Sequence, residues 1–257
     1  MDLGLQNKRV IVTGSSKGIG EAIARGFLNE GAKVCITARG SKQLLETEKK
    51  LVKEFGRDQV CSILCDCTNP NELDKLKNTI VSKWGGLDIL VTNVGDGRSV
   101  EDTLPSEAQW EKVWKINFES TLNSVRTFLS LIQDSKGCFL FISSVAGMES
   151  IGAPVDYSTA KTAIIALAKN LSKKLSKDVR VNVLSPGNIL FPGGSWDEKV
   201  KQDPEGINKL IKSSVPMNRF GTSDEVSDAA VFLCSERASF ITGSVLVIDG
   251  GQTVGLI

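Results

Sequence analysis

The chain has no histidine among its 257 residues. A zinc site of mixed cysteine and histidine ligands is therefore impossible, and a hydrolytic centre built on imidazole is equally out of reach. An excess of one charge is missing too: 31 basic and 30 acidic residues leave a net charge of +1. That balance gives no broad electrostatic case for nucleic acid or for an anionic membrane surface. Nowhere do about 18 apolar residues run together, and the start, Met1-Asp2-Leu3-Gly4-Leu5, lacks the basic-then-apolar layout of a signal peptide. The expectation is a soluble, cytoplasmic protein. Cys35, Cys61, Cys65, Cys67, Cys138 and Cys234 include no Cys-x-x-Cys spacing, so most of them are expected to be small, buried hydrophobes, and no metal site is expected. With no linker, low-complexity tract or repeat, the length fits one domain spanning 1–257.

What the chain does have is Tyr157-x-x-x-Lys161, with Ser144 thirteen residues upstream in a Ser-Ser-Val-Ala-Gly run. Pro154 and Asp156 ahead of an apolar periodicity predict a helix over 156–176, which sets Tyr157 and Lys161 on one face about a turn apart. An ammonium beside a phenol favours the phenolate, so the pair is expected to trade a proton near neutral pH. Such a constellation points to redox chemistry more readily than to hydrolysis. Near the amino terminus, Lys8-Arg9-Val10-Ile11-Val12-Thr13 leads into Gly14-Ser15-Ser16-Lys17-Gly18-Ile19-Gly20 and then a helical pattern. This is strand, glycine turn, helix, an arrangement that presents backbone N–H groups to a pyrophosphate.

Strand-like runs fall near 8–13, 33–38, 60–65, 87–92, 137–142, 179–184 and 244–248, and helical patterns near 18–29, 41–55, 70–84, 107–134, 157–176 and 224–235. Short apolar runs alternating with long amphipathic ones predict an α/β fold: a doubly wound parallel sheet of about seven strands with helices on both faces. The glycine turn, Asn93, Ser144 and Pro186 all follow strands, so they are expected to converge on one crevice at the carboxyl ends.

The spacing Gly14-x-x-x-Gly18-x-Gly20 with Tyr157-x-x-x-Lys161 downstream resembles the short-chain dehydrogenase/reductase family. Cys65-Asp66-Cys67, Thr92-Asn93-Val94-Gly95, Asn117, Ser144, Ser185-Pro186-Gly187 and Val247-Ile248-Asp249-Gly250-Gly251 extend the likeness over nearly the whole chain. The overall pattern looks most like the 3-oxoacyl-carrier-protein reductase branch and like related enzymes of sugar or polysaccharide biosynthesis. The resemblance implies a Rossmann-type dinucleotide fold. It gives Tyr157 the role of proton donor, Lys161 that of holding the nicotinamide ribose, Ser144 that of hydrogen-bonding the substrate oxygen and Asn117 that of anchoring a water beside Lys161. Ser143 is the neighbouring rival for the serine role. It further implies cofactor contacts from Gly14, Ser16, Lys17, Gly18, Ile19 and Gly20, from Asp66 and Cys67 at the adenine, and from Asn93, Gly95, Pro186, Gly187 and Ile189.

No acid follows the second strand, where an NAD site usually places one; Ile36-Thr37-Ala38-Arg39-Gly40 stands there instead. Arg39 and Lys17 are expected to clamp a 2′-phosphate, which favours NADP(H) over NAD(H); their other reading is as solvated surface cations. Three departures from the family pattern stand out. Thr92-Asn93-Val94-Gly95 replaces the common Asn-Asn-Ala-Gly, no threonine follows Pro186-Gly187 closely, and the Gly193-Gly194-Ser195-Trp196-Asp197 stretch is unusual. Residues 188–215 are expected to form a substrate loop, with a mobile lid over 190–215 in which Trp196 closes on substrate or cofactor or else packs on the domain. Asp96, Arg98 and Glu149 are expected at the same crevice. Trp110, Trp114, Phe118 and Leu122 recur every four residues along one helix, and the resemblance implies pairing there with a second copy to give a homodimer or homotetramer. The expected substrate is a small or carrier-linked carbonyl compound. A second reading is a catalytically silent, nucleotide-sensing regulator on the same fold, against which stands the intact Ser144, Tyr157 and Lys161 set.

Overall fold

The structure, a computed structural model, describes residues 2–255. Seven strands, β1 (Arg9–Val12), β2 (Lys33–Ala38), β3 (Val60–Leu64), β4 (Ile89–Thr92), β5 (Cys138–Ile142), β6 (Arg180–Pro186) and β7 (Val245–Ile248), form one sheet in the order β3-β2-β1-β4-β5-β6-β7. Every pairing is parallel. The central strands are apolar throughout because both of their faces are covered: Val10 and Val12 join one buried cluster while Ile11 between them joins the other. Helices α1 (Gly18–Asn29), α2 (Ser41–Phe55) and α3 (Pro70–Trp84) connect the first four strands. α4 (Glu107–Trp114), α5 (Ser120–Asp134), α6 (Val155–Leu175), α7 (Ser195–Gln202), α8 (Pro204–Ser214) and α9 (Ser223–Cys234) complete the chain. α1 and α9 pack on one face with Phe27, Ala230 and Val231; α3, α5 and α6 cover the other with Leu76, Phe128 and Ile164.

Strand order reverses between β1 and β4, so the loops after those strands part and leave a crevice at their carboxyl ends. Two local features differ from the sequence pattern. The single helix expected over 107–134 contains a π turn, Lys115–Glu119, centred on Asn117; a widened turn of this kind is frequent at functional sites. The stretch 190–215 is largely helical, with Asp203 capping α8 through its side chain on Gly206. All six cysteines are free and buried. Among the described residues no helix is long and apolar enough to cross a membrane.

Candidate active site

The glycine turn follows β1 and is braced from three sides. Ser15 Oγ donates to Val12 O (2.6 Å) and accepts from Thr37 N–H (3.0 Å), Thr47 Oγ1 donates to Ser16 O (2.7 Å), and Asn93 Nδ2 donates to Thr13 O (3.1 Å) and Gly14 O (2.9 Å). Gly18 has φ +59°, which a side chain would strain. A Cβ on Gly20 would lie 2.5 Å from Gly14 O and 2.6 Å from Asn93 Nδ2, so only glycine lets α1 begin this close to the turn. The free N–H groups of α1 then face the crevice, a ready anion site. Asn93, expected at the cofactor, spends its amide on the turn itself, and Val94 packs over Gly14. Arg39 is exposed directly after β2, and Lys17 is exposed in the turn. Asp66 accepts from Thr68 N–H (2.9 Å) and Thr68 Oγ1 (2.8 Å), which fixes its carboxylate beside the buried Cys67. Pro186 ends β6, Gly187 follows it, and Ile189 is buried where its backbone bridges to Gly221. These features fit a dinucleotide: a cradle that a Cβ would fill, a helix amino terminus, a cation, Arg39, where an NAD site carries an acid, and a second, Lys17, in the turn itself.

The side chains expected to do chemistry meet beside this cradle. Lys161 is 3 % exposed, its Nζ donates to Ile142 O (3.1 Å) and lies 5.7 Å from the Tyr157 ring centroid. A Cβ on Gly95 would sit 2.9 Å from Lys161 Nζ and 3.0 Å from Asn117 Oδ1, so the ammonium and the amide flank one point. Asn117, buried in the π turn, grips Asp96 through both backbone groups: its Oδ1 accepts Asp96 N–H (3.0 Å) and its Nδ2 donates to Asp96 O (3.1 Å). The next residue but one on that loop, Arg98, follows Gly97, whose Cβ position is 3.7 Å from the Tyr157 ring. Ser143 and Ser144 separate by burial and partner. Ser143 Oγ is buried and donates to Lys161 O (2.8 Å), whereas half-buried Ser144 caps a short turn by accepting Ala146 N–H (3.1 Å), which leaves its O–H free to donate. The hydroxyl left for a substrate is that of Ser144.

Burial sets the proton chemistry differently from the expectation. Removing water from the Tyr157 phenolate pushes its pKa up, opposed by the Ser144 hydroxyl and reinforced by the Asp96 charge. Burial pulls Lys161 down to about 8. Without a bound dinucleotide the lysine, not the tyrosine, is thus the group of the pair that titrates near neutral pH.

A residue that sequence reasoning passed over is Asp156. It is 1 % exposed, accepts Tyr157 N–H through Oδ1 (2.7 Å) and Ser99 Oγ through Oδ2 (2.6 Å), while Gln109 Nε2 donates to Ser99 Oγ (3.0 Å). It joins the first turn of α6 to the loop after β4, and its position in that turn next to Tyr157 was the available signal. Glu149 accepts the Val254 N–H (3.0 Å) and thereby ties down the carboxyl-terminal stretch. Trp196 packs on Phe220 (centroids 5.4 Å) with Lys199 Nζ 4.9 Å from its ring centroid, the packed alternative of the two expected for it.

Comparison with known proteins agrees with this geometry. Residues 14–253 match the family described as enoyl-(acyl carrier protein) reductase. The chain is 33 % identical to the 3-oxoacyl-[acyl-carrier-protein] reductase FabG of Aquifex aeolicus over 98 % of this chain and 100 % of that one. A tropinone reductase homologue of Arabidopsis thaliana is 37 % identical over 97 % of this chain and 92 % of its own. Among solved structures, the L-sorbose reductase of Gluconobacter frateurii complexed with NADPH and L-sorbose superposes with a TM-score of 0.93 at 30 % identity, covering both chains fully. A nicotinamide-dependent oxidoreductase, the chain belongs to the short-chain dehydrogenase/reductase family, in its FabG-like branch.

Proposed function

We propose that this protein uses NADPH to reduce the carbonyl group of a hydroxyl-rich ketone such as a keto-sugar, with Ser144, Tyr157, Lys161 and Asn117 as its catalytic set. The observation that carries the reading is Tyr157 beside the buried Lys161, whose Nζ lies 5.7 Å from the tyrosine ring centroid, with Ser144 just past the carboxyl end of β5. Hydroxyl donors beside a buried ammonium suit a carbonyl oxygen that gains negative charge as hydride adds to its carbon. The bound dinucleotide supplies the hydride. Tyr157 supplies the proton to the oxygen, and Ser144 holds that oxygen in place. Lys161, kept close to neutrality by burial, anchors the ribose and replenishes the tyrosine's proton, with Asn117 at its side. NADPH is the favoured carrier: exposed Arg39 follows β2 where an NAD site usually carries an acid, and exposed Lys17 lies in the glycine turn, which supports charge-assisted contacts to a 2′-phosphate, and a reduction follows from NADPH usually serving as reductant.

The crevice rim, with Asp96, Arg98 and Glu198, supports a polar substrate, as does the likeness to a protein solved with L-sorbose. A 3-oxoacyl thioester is the second reading, supported by the carrier-protein reductases among the relatives. We further propose a homodimer or homotetramer, built on the half-buried Trp110, Trp114 and Phe118, of which the two tryptophans line an open groove together with Thr159 of α6. Six free, buried thiols support work in a reducing compartment, the cytoplasm. The deciding experiment is an NADPH-oxidation screen against keto-sugars and 3-oxoacyl thioesters. Turnover of neither class, with NADPH bound, would favour the silent, nucleotide-sensing regulator.

A further inference from the structure

The segment that opens α7 is tied to both halves of the site. At its start Lys17 Nζ donates to Gly193 O (2.8 Å), and Asp197 Oδ2 accepts Gly193 N–H (2.8 Å). One residue on, Glu198 takes a two-pronged bond from Arg98: Nε to Oε2 at 3.1 Å and Nη2 to Oε1 at 2.7 Å. The third arm of the guanidinium, Nη1, reaches Asp96 Oδ1 (3.1 Å), which also accepts the Arg98 N–H (3.0 Å). Asp96 is the residue whose backbone Asn117 grips. A chain of contacts thus runs from the π turn, through the loop that lies against the Tyr157 ring, to α7, across 100 positions of sequence.

α7 contains no buried residue. Its apolar side chains are the half-buried Trp196, which packs on Phe220, and the half-buried Val200, so polar ties carry much of its placement, and the fork–fork pair is the most directional of them. We infer that Arg98 is a positioning residue: through Glu198 it holds α7 over the mouth of the crevice, and so sets the affinity for the carbonyl substrate. Both partners remain about half exposed, 46 % and 50 %. Pairs in that environment are weak and screened by salt. Weakness suits the task, because a lid must open on each turnover to release product. Arg98 also lowers the pKa of Glu198, as a formed pair should.

The kinetic part of this inference rests on the reductase reading; the structural part does not, and the test separates them. Arg98→Met, Glu198→Gln and the double variant are compared with wild type by the initial rate of tryptic cleavage at Lys199 and Lys201, by thermal midpoint, and by KM and kcat on the best carbonyl found. Each single variant should be cut about fivefold faster, the scale of one exposed pair. Each should show a KM for the carbonyl raised by a similar factor, with the KM for NADPH and the thermal midpoint unchanged. The double variant should match either single, since the two side chains act through one contact. High salt should move wild type toward the variants and leave the variants where they are. Cleavage rates equal to wild type, or additive effects in the double variant, would overturn the latch, whether or not any carbonyl is reduced. Faster cleavage with unchanged KM would overturn its role in substrate affinity.

Discussion

Replacing Lys161 by methionine should make the cofactor-free protein more stable while abolishing its activity. The ammonium is 3 % exposed, and burial lowers its pKa from the ordinary 10.5 to about 8. At about 1.36 kcal/mol per pKa unit, that drop corresponds to roughly 3 kcal/mol of destabilisation while the folded protein keeps the charge. Removing the side chain also breaks the bond to Ile142 O, worth about 1 kcal/mol. Methionine keeps the length and bulk of the stem, so no large cavity term is added. The net gain at pH 7 is on the order of 2 kcal/mol. Its sign and its pH window follow from the direction of the shift. A lysine whose folded pKa is depressed costs the full amount below the folded value, progressively less between about 8 and 10.5, and nothing above. The advantage of Lys161→Met should therefore be full at pH 7 and nearly gone by pH 10. Urea unfolding of both proteins without cofactor at the two pH values measures it. A variant no more stable than wild type at pH 7, or an advantage that does not shrink with rising pH, would refute the reasoning.

Three further outcomes follow. Tyr157 is the chain's one tyrosine, so the phenolate absorbance band titrates that residue alone, and in the cofactor-free protein its midpoint should lie above the ordinary 10; a midpoint below 9 would show that Lys161 already dominates it. NADPH should bind more tightly than NADH by at least about tenfold, and Arg39→Ala should erase most of that gap; titration of protein fluorescence with each nucleotide reads this, and equal wild-type affinities would leave Lys17 and Arg39 as ordinary surface cations. Light scattering at micromolar concentration should give a mass of two or four chains, and a single-chain mass would remove the pairing assigned to the α4–α5 and α6 face.

Much of the architecture was legible because it is local. Parallel strands buried on both faces leave apolar runs such as Cys138-Phe139-Leu140-Phe141-Ile142, and Gly20 of the turn sits where a Cβ would strike Gly14 O. The Tyr157 and Lys161 pairing needed only helical periodicity. What escaped depends on contacts between distant segments. The π turn carries Asn117, which grips the backbone of Asp96, 21 positions away, and also donates to Val113 O (3.0 Å), and no propensity marks it. α7 is short and mostly polar, with only Trp196 and Val200 apolar, so its stretch read as a loop; Glu198 in it meets Arg98, 100 positions off, and Gly193 just before it meets Lys17, 176 positions off. The direction of the Tyr157 shift turned on burial, with the Asp96 charge adding to it and the Ser144 hydroxyl opposing it, and none of these contacts is visible in the spacing of Tyr157 and Lys161.

The central claim is that Tyr157 protonates a carbonyl oxygen while NADPH is oxidised. The most direct measurement is single-turnover oxidation of bound NADPH by wild type and Tyr157→Phe, with the best keto-sugar or 3-oxoacyl thioester from the screen. Wild type should oxidise the nucleotide only when the carbonyl is present, and Tyr157→Phe should bind NADPH with similar affinity yet react at least about 10²-fold more slowly, the scale of a lost general acid. Equal rates in the two proteins would contradict the account.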